Sequence, residues 1–287
     1  MKAAIIDIGS NSIRLGMLLD GKTLYKEPVV TKLAEGMREN RLLSDNSVLR
    51  TINAIKGFMI KAKKEDALVF AFATEAVRSS LNCMDFIKKV KESCELDVDI
   101  IDSYTEAKFS LAGALDNLKS GAIIDIGGAS TEISALDDNQ ITYNTSIKLG
   151  AVTLTDAYGQ NKNALEKQAK EKLKEFSPIP KNIDYFAVGG TACSFASIFK
   201  RLKVFDLAKI HQTKLSYKSV CEITDLVFSM PVNKRKNITG LAPSRAEVIG
   251  GGSVILKSVM EIFGFESLIV SAMDNIEGYY KLHVQNV

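Results

Sequence analysis

One hexapeptide, Ala-Ile-Ile-Asp-Ile-Gly, occurs twice in this chain of 287 residues, at 4–9 and at 122–127. The match runs on without gaps: AIIDIGSNSIRLGML aligns with AIIDIGGASTEISAL, so that Asp7 meets Asp125, Gly9 meets Gly127 and Ser12 meets Ser130. The copies lie 118 residues apart, the length of a domain and far beyond a solenoid period. Such a repeat predicts a duplicated α/β domain, with two facing halves and a cleft between them. The internal boundary is expected near 118–121, giving a first domain of 1–118 and a second of 119–273, with a last helix at about 274–287 returning to the first.

Each copy reads as a short buried strand that ends in an acid and then a tight glycine turn rich in small polar side chains. Glycine lets the backbone approach a ligand closely. Successive amides in such a turn form an anion nest, and Ser, Thr and Asn add donors. The candidate phosphate-binding residues are Ser10, Asn11 and Ser12 in the first turn and Gly127, Gly128, Ser130 and Thr131 in the second. The acids cannot hold an anion. Asp7 and Asp125 suit Mg²⁺ instead, which takes a few carboxylates together with waters and phosphate oxygens.

Around the two copies, strand-like runs alternate with helical spacing, which places the chain in the α/β class. Strands are expected at 2–8, 13–19, 22–33, 67–73 and 97–101, then at 121–126, 132–136, 140–147, 184–188 and 267–270. Helices are expected at 45–64, 85–94, 103–118, 152–158, 164–176, 193–199, 217–230, 244–263 and 275–283. Ser44 or Asp45 would cap the first of these, and Ser103 with Glu106 fits a capping box.

Lys and Arg number 37 against 34 Asp and Glu, a net charge of +3. That balance, with no basic block interleaved with aromatics, speaks against DNA as a partner. No apolar run approaches the roughly 20 residues of a membrane span, and the N-terminus lacks the pattern of a leader peptide. Cys83, Cys94, Cys193 and Cys221 form no C-x-x-C pair. The expected setting is a reducing cytoplasm.

Further motifs follow in order: DIGSNSIRL at 7–15, LAEG at 33–36, ATEAVR at 73–78, TEA at 105–107, DIGGASTE at 125–132, LGAVTLT at 149–155, VGGTA at 188–192, GLAPSRAEVI at 240–249 and EG at 277–278. Across nearly its whole length the chain resembles the exopolyphosphatase / guanosine pentaphosphate phosphohydrolase (Ppx/GppA) family, part of the actin / Hsp70 / sugar-kinase superfamily. The resemblance implies duplicated actin-like (ribonuclease H-like) domains with an active-site cleft between them. It implies a cytoplasmic, Mg²⁺-dependent hydrolase, expected as a homodimer. Its substrate would be inorganic polyphosphate, the stringent-response nucleotide guanosine pentaphosphate, or both, losing a terminal phosphate.

By this resemblance Glu106 matches the last glutamate of the family's E-E-A motif, its general base, while Thr105 replaces the first. Arg78 matches the family's phosphate-binding arginine. Gly189, Gly190 and Thr191 lie where superfamily kinases hold adenosine; here they either seat a guanine nucleotide or simply turn a strand into a helix. Three departures bear on substrate range: Ala129 replaces a third loop glycine, Thr153 replaces an arginine, and Asp274-Asn275-Ile276-Glu277-Gly278 replaces G-L-R-E-G. Two other readings fit the same residues, an ATP-dependent kinase or ATPase of this superfamily and a non-catalytic polyphosphate or alarmone sensor.

Overall fold

The structure, a computed structural model, describes residues 1–116, 118–176 and 178–285. The chain divides into two compact units, Met1–Gly113 with Asn275–Val287, and Ala114–Asp274.

The sheet of the first unit contains β1 (Lys2–Ile8), β2 (Ser12–Leu19), β3 (Lys22–Val30), β4 (Leu68–Ala73) and β5 (Asp99–Ile100), in the order β3-β2-β1-β4-β5. β1 to β3 form an antiparallel meander, and β4 and β5 run parallel to β1 and to each other. β1 is apolar at almost every position because both of its faces are covered. Ala4, Ile6 and Ile8 pack with Val48, Ile52, Ile55 and Phe58 of the helix Asp45–Lys64, whereas Ala3 and Ile5 face Phe72, Phe109 and Tyr279. Ser44 caps that helix, accepting from the Ser47 N–H.

In the second unit, β6 (Gly121–Ile126), β7 (Thr131–Asp137), β8 (Gln140–Ile147), β9 (Tyr185–Val188), β10 (Thr213–Ser216) and β11 (Ser267–Val270) are ordered β10-β11-β9-β6-β7-β8. Read from the other edge, β8-β7-β6-β9-β11 repeats β3-β2-β1-β4-β5, with β10 added antiparallel to β11. The duplication reaches fine detail. The hairpin ladder slips between Met17 and Leu18 in one unit and between Ala135 and Leu136 in the other, again 118 residues apart. Both hairpins turn on two residues of positive φ, Asp20-Gly21 and Asp138-Asn139, which suits the right-handed twist of the flanking strands.

Several elements differ from expectation. β3 stops at Val30, not at 33, because the next residues leave the ladder: the Thr31 and Lys32 N–H groups both donate to the Asn11 carbonyl, and Lys32 takes φ 50. The strand β10 and the one-turn helix Glu75–Ser79 were not anticipated; each is too short to impose a clear period. The expected helix at 244–263 is a 3₁₀ turn, Pro243–Arg245, followed by the helix Ile249–Phe263.

The EG pair near the C-terminus has a packing role in the first unit. Tyr279 stacks on Phe72 at 4.9 Å and meets Phe109 edge-on at 5.3 Å. Glu277 is 2 % exposed and pairs with Lys26 at 2.8 Å. Gly16 leaves room for the Ile276 side chain, and Gly278 lies so close to the Phe109 carbonyl that a Cβ there would overlap it. Gly278→Ala is therefore expected to cost about 3 kcal/mol, the upper end of overpacking penalties. Gly57, inside the helix Asp45–Lys64, has open space where its Cβ would be. Gly57→Ala should instead stabilise by about 0.5–1 kcal/mol. Urea denaturation of both variants checks these opposite signs.

Candidate functional site

The two glycine turns are built alike. The Gly9 N–H donates to the Ser12 carbonyl at 3.2 Å, and the Gly127 N–H to the Ser130 carbonyl at 3.0 Å. A Cβ at Gly9 would lie 2.9 Å from that carbonyl oxygen, so the tight return favours glycine. Behind the first turn, the Asn11 carbonyl accepts from Thr31 and Lys32, and the Ser10 carbonyl accepts from Ala34 at 2.9 Å. Behind the second, the Gly127 carbonyl accepts from Ala151, and the Gly128 carbonyl from Val152 and Thr153. Both turns thus have their carbonyls tied from the segment that follows the third strand. Among the described residues, the N–H groups of Ser10, Asn11, Gly128, Ala129 and Ser130 have no protein acceptor. Such clustered amide donors are the raw material of an anion nest.

The departures in the second turn fit this plan. Thr153 accepts from the Gly150 N–H at 3.3 Å through its hydroxyl, and so fastens the start of the helix Ala151–Tyr158 beneath the turn. Gly150 itself abuts the Gly128–Ala129 backbone, where a Cβ would overlap. Ala129 is exposed and lacks a positive φ, so its methyl group strains nothing. Thr131, by contrast, is fully buried, and its hydroxyl donates to the Leu149 carbonyl.

The two acids have different neighbours. Asp7 lies directly opposite Arg14 in the β1–β2 register, and the Arg14 Nε donates to its carboxylate at 3.0 Å. Asp7 is 4 % exposed, so this cation balances a buried charge. Asp125 lies at the matching place in β6, but its partner in register is Glu132. Directly opposed residues share one face of a sheet. Asp125 and Glu132 therefore offer two hard oxygen ligands from adjacent strands, a set that suits Mg²⁺ completed by waters and phosphate oxygens. No larger cluster of His, Cys, Asp or Glu able to hold a metal forms among the described residues. Reading the repeat alone passed over Glu132, although the signal was there: Glu stands where the first copy has Arg.

In the first unit the structure brings Arg78 and Glu106 together. Arg78 ends the helix Glu75–Ser79 that follows β4. Its Nη1 donates to the Ile101 carbonyl at 2.6 Å and to Glu106 at 3.1 Å, and its Nη2 donates to Glu75 at 2.6 Å. Burial alone would weaken the charged guanidinium, but the hydrogen bonds it donates to Glu106 and Glu75 outweigh it and raise its pKa. Glu106 lies in the first turn of the helix Ser103–Ala114. The cap is not Ser103 but the preceding residue: the Asp102 carboxylate accepts from the Thr105 N–H at 2.7 Å, and its carbonyl from the Glu106 N–H. An Asx cap one position earlier satisfies the same orphan amides.

The GGT segment is not a loop before a helix; it is the first turn of the helix Gly189–Phe199. Gly189 has φ 80, and a Cβ there would lie 2.5 Å from the Asp125 carboxylate. A Cβ at Gly190 would overlap the Arg245 guanidinium. The glycines thus let an acid and a cation press against the helix start. Arg245, carried by the GLAPSRAEVI motif, had no role assigned from sequence. Thr191 is buried and packs against Gly252.

The hydrogen bonds that the Asp102 carboxylate accepts, first from the Thr105 backbone, hold its pKa below the ordinary carboxylate range. Its contribution is therefore present above the unfolded value near 3.9 and lost as pH falls through the lower folded value. Asp102→Ala should melt earlier than the parent protein at pH 7, with the gap closing in acid. Thermal melts at both pH values check this.

A family model described as the Ppx/GppA phosphatase family matches residues 18–280. The chain is 30% identical to the bifunctional 3-dehydroquinate synthase/phosphatase of Fusobacterium nucleatum, over 99% of this chain but only 46% of that protein's length. It is 24% identical to exopolyphosphatase 2 of Mycobacterium tuberculosis, covering 96% of this chain and 97% of that one. Among solved structures, an Aquifex aeolicus member of the Ppx/GppA family superposes with a TM-score of 0.83 at 27% identity, covering 100% of this chain and 98% of that one. With a family match over most of its length, and with both glycine turns and their acids in place, the chain belongs to the Ppx/GppA phosphatase family.

Proposed function

We propose that this protein is a Mg²⁺-dependent phosphoanhydride hydrolase that releases the terminal phosphate of inorganic polyphosphate, of guanosine pentaphosphate, or of both. The observation that carries the reading is the pair of glycine turns with tied carbonyls and unclaimed amides. Phosphoryl transfer is catalysed mainly by positioning and by neutralising charge on the phosphate oxygens. The amides at Ser10 and Asn11 and at Gly128, Ala129 and Ser130 would hold those oxygens, with the Ser12 hydroxyl as a further donor. Arg78 would clasp the group bidentately. Glu106 would orient the attacking water and accept its proton.

Asp125 and Glu132 would hold the metal, which when bound supplies further positive charge to the phosphate oxygens. Asp7 serves this reading less as a ligand than as the partner that steers Arg14. Gly189 and Gly190 would keep Asp125 and Arg245 in place; Thr191, packed on Gly252, supports the turn from inside, and a base-binding role for this segment is left to substrate preference.

Phosphate release in the presence of Mg²⁺ tests the proposal, with long-chain polyphosphate and guanosine pentaphosphate compared at equal terminal-phosphate concentration. Release from the polymer makes the protein an exopolyphosphatase, and preference for the nucleotide assigns the base to the region of Gly189–Thr191. No release from either substrate, with chelation making no difference, removes the proposal in favour of a sensor or a kinase. Glu106→Gln should lower kcat by about 10²–10⁴-fold while leaving polyphosphate binding intact. An unchanged kcat would take Glu106 out of the mechanism.

A further inference from the structure

Arg78 is held by more negative charge than it carries. One guanidinium faces two carboxylates, Glu75 and Glu106, as well as the Ile101 carbonyl. A phosphate approaching this arginine can reach its unused Nε–H and second Nη2–H but meets a cation already more than neutralised, so release of a protein carboxylate strengthens the grip. Exposure decides which one. The Glu106 side chain is 28% exposed, whereas that of Glu75 is 65% exposed and returns to water at little desolvation cost. The two carboxylates also use different nitrogens: Nη1 is fixed by Ile101 and Glu106, and Nη2 by Glu75 alone.

We infer that Glu75 is a built-in competitor of phosphate at Arg78, occupying the Nη2 edge in the free protein and retaking it when product leaves. This rests on the reading of Arg78 as a phosphate-binding residue. Three consequences follow from the geometry. The Nη1 side keeps Arg78 aligned with Glu106 throughout, so the arginine does not swing free between turnovers. The exchangeable partner sits three residues away on the same helical turn, where it is always within reach. Phosphate binds less tightly than an unopposed arginine would allow, which favours release of product over its retention. Glu75 is thus a positioning residue that acts through Arg78, and its effect is opposite in sign to that of a simple structural ion pair.

The test is calorimetric titration of inorganic phosphate into the parent protein, Glu75→Gln and Glu75→Asp, together with phosphate inhibition of hydrolysis. Glu75→Gln keeps the side-chain size and removes the charge. It should bind phosphate about two- to fivefold more tightly, the range expected for releasing an exposed ion pair. Glu75→Asp retains the charge and should stay close to the parent. If Glu75 merely braces Arg78, Glu75→Gln binds phosphate more weakly or unchanged, and the inference falls. If Glu75→Gln fails to fold, Glu75→Asp and Glu75→Ser are compared, and tighter binding only in the uncharged variant is required. The titration reads phosphate binding whether or not hydrolysis is found. Absence of turnover therefore overturns the functional reading alone, and absence of tightening overturns this one alone.

Discussion

Everything at the two turns depends on which backbone groups are already bonded. A strand that ends in a glycine turn leaves carbonyls and amides pointing in opposing directions, and both must find partners. Here the carbonyls are claimed from behind, by Thr31, Lys32 and Ala34 in one unit and by Ala151, Val152 and Thr153 in the other. That set of bonds explains why β3 ends early, and a separate one, from the Gly150 N–H to the Thr153 hydroxyl, gives the threonine its place. The first set leaves the amides of Ser10, Asn11, Gly128, Ala129 and Ser130 as the unclaimed groups of the two turns.

Upon this shared frame the two copies have acquired different electrostatics. The position across from the acid carries Arg14 in β2 and Glu132 in β7. One strand pair sets an acid against a base, and the other sets two acids across from each other. The two halves repeat one geometry and differ by a charge reversal at one register position.

Much of this could be read in advance where the signal was long or repeated. The central strands, the antiparallel hairpins and the repeat itself are carried by runs of buried aliphatic residues, and these persisted. Short elements could not be read. β10 has four residues and the helix carrying Arg78 has five, fewer than a periodic pattern needs. The cap at Asp102 was missed because Ser103 offers an equally good sequence signature one residue later. Glu132 and Arg245 were missed for another reason: their partners come from cross-strand register and from the space over a glycine, neither of which one-dimensional spacing displays. Glu106 and Arg78 were singled out through family resemblance, and their ion pair, between residues 28 apart, is visible only in the fold.

The packing of Ile276, Glu277, Gly278 and Tyr279 into the first sheet has a temporal consequence. The residues of the second unit form one uninterrupted stretch, whereas the first unit needs a segment made after all of them. During synthesis the later-encoded unit can finish its core while the earlier one still lacks Ile276, Tyr279 and Tyr280, part of the cover over Ala3, Ile5 and Phe72. The first unit therefore closes its sheet only after Asn275–Tyr279 have been made, later than every residue of the second unit.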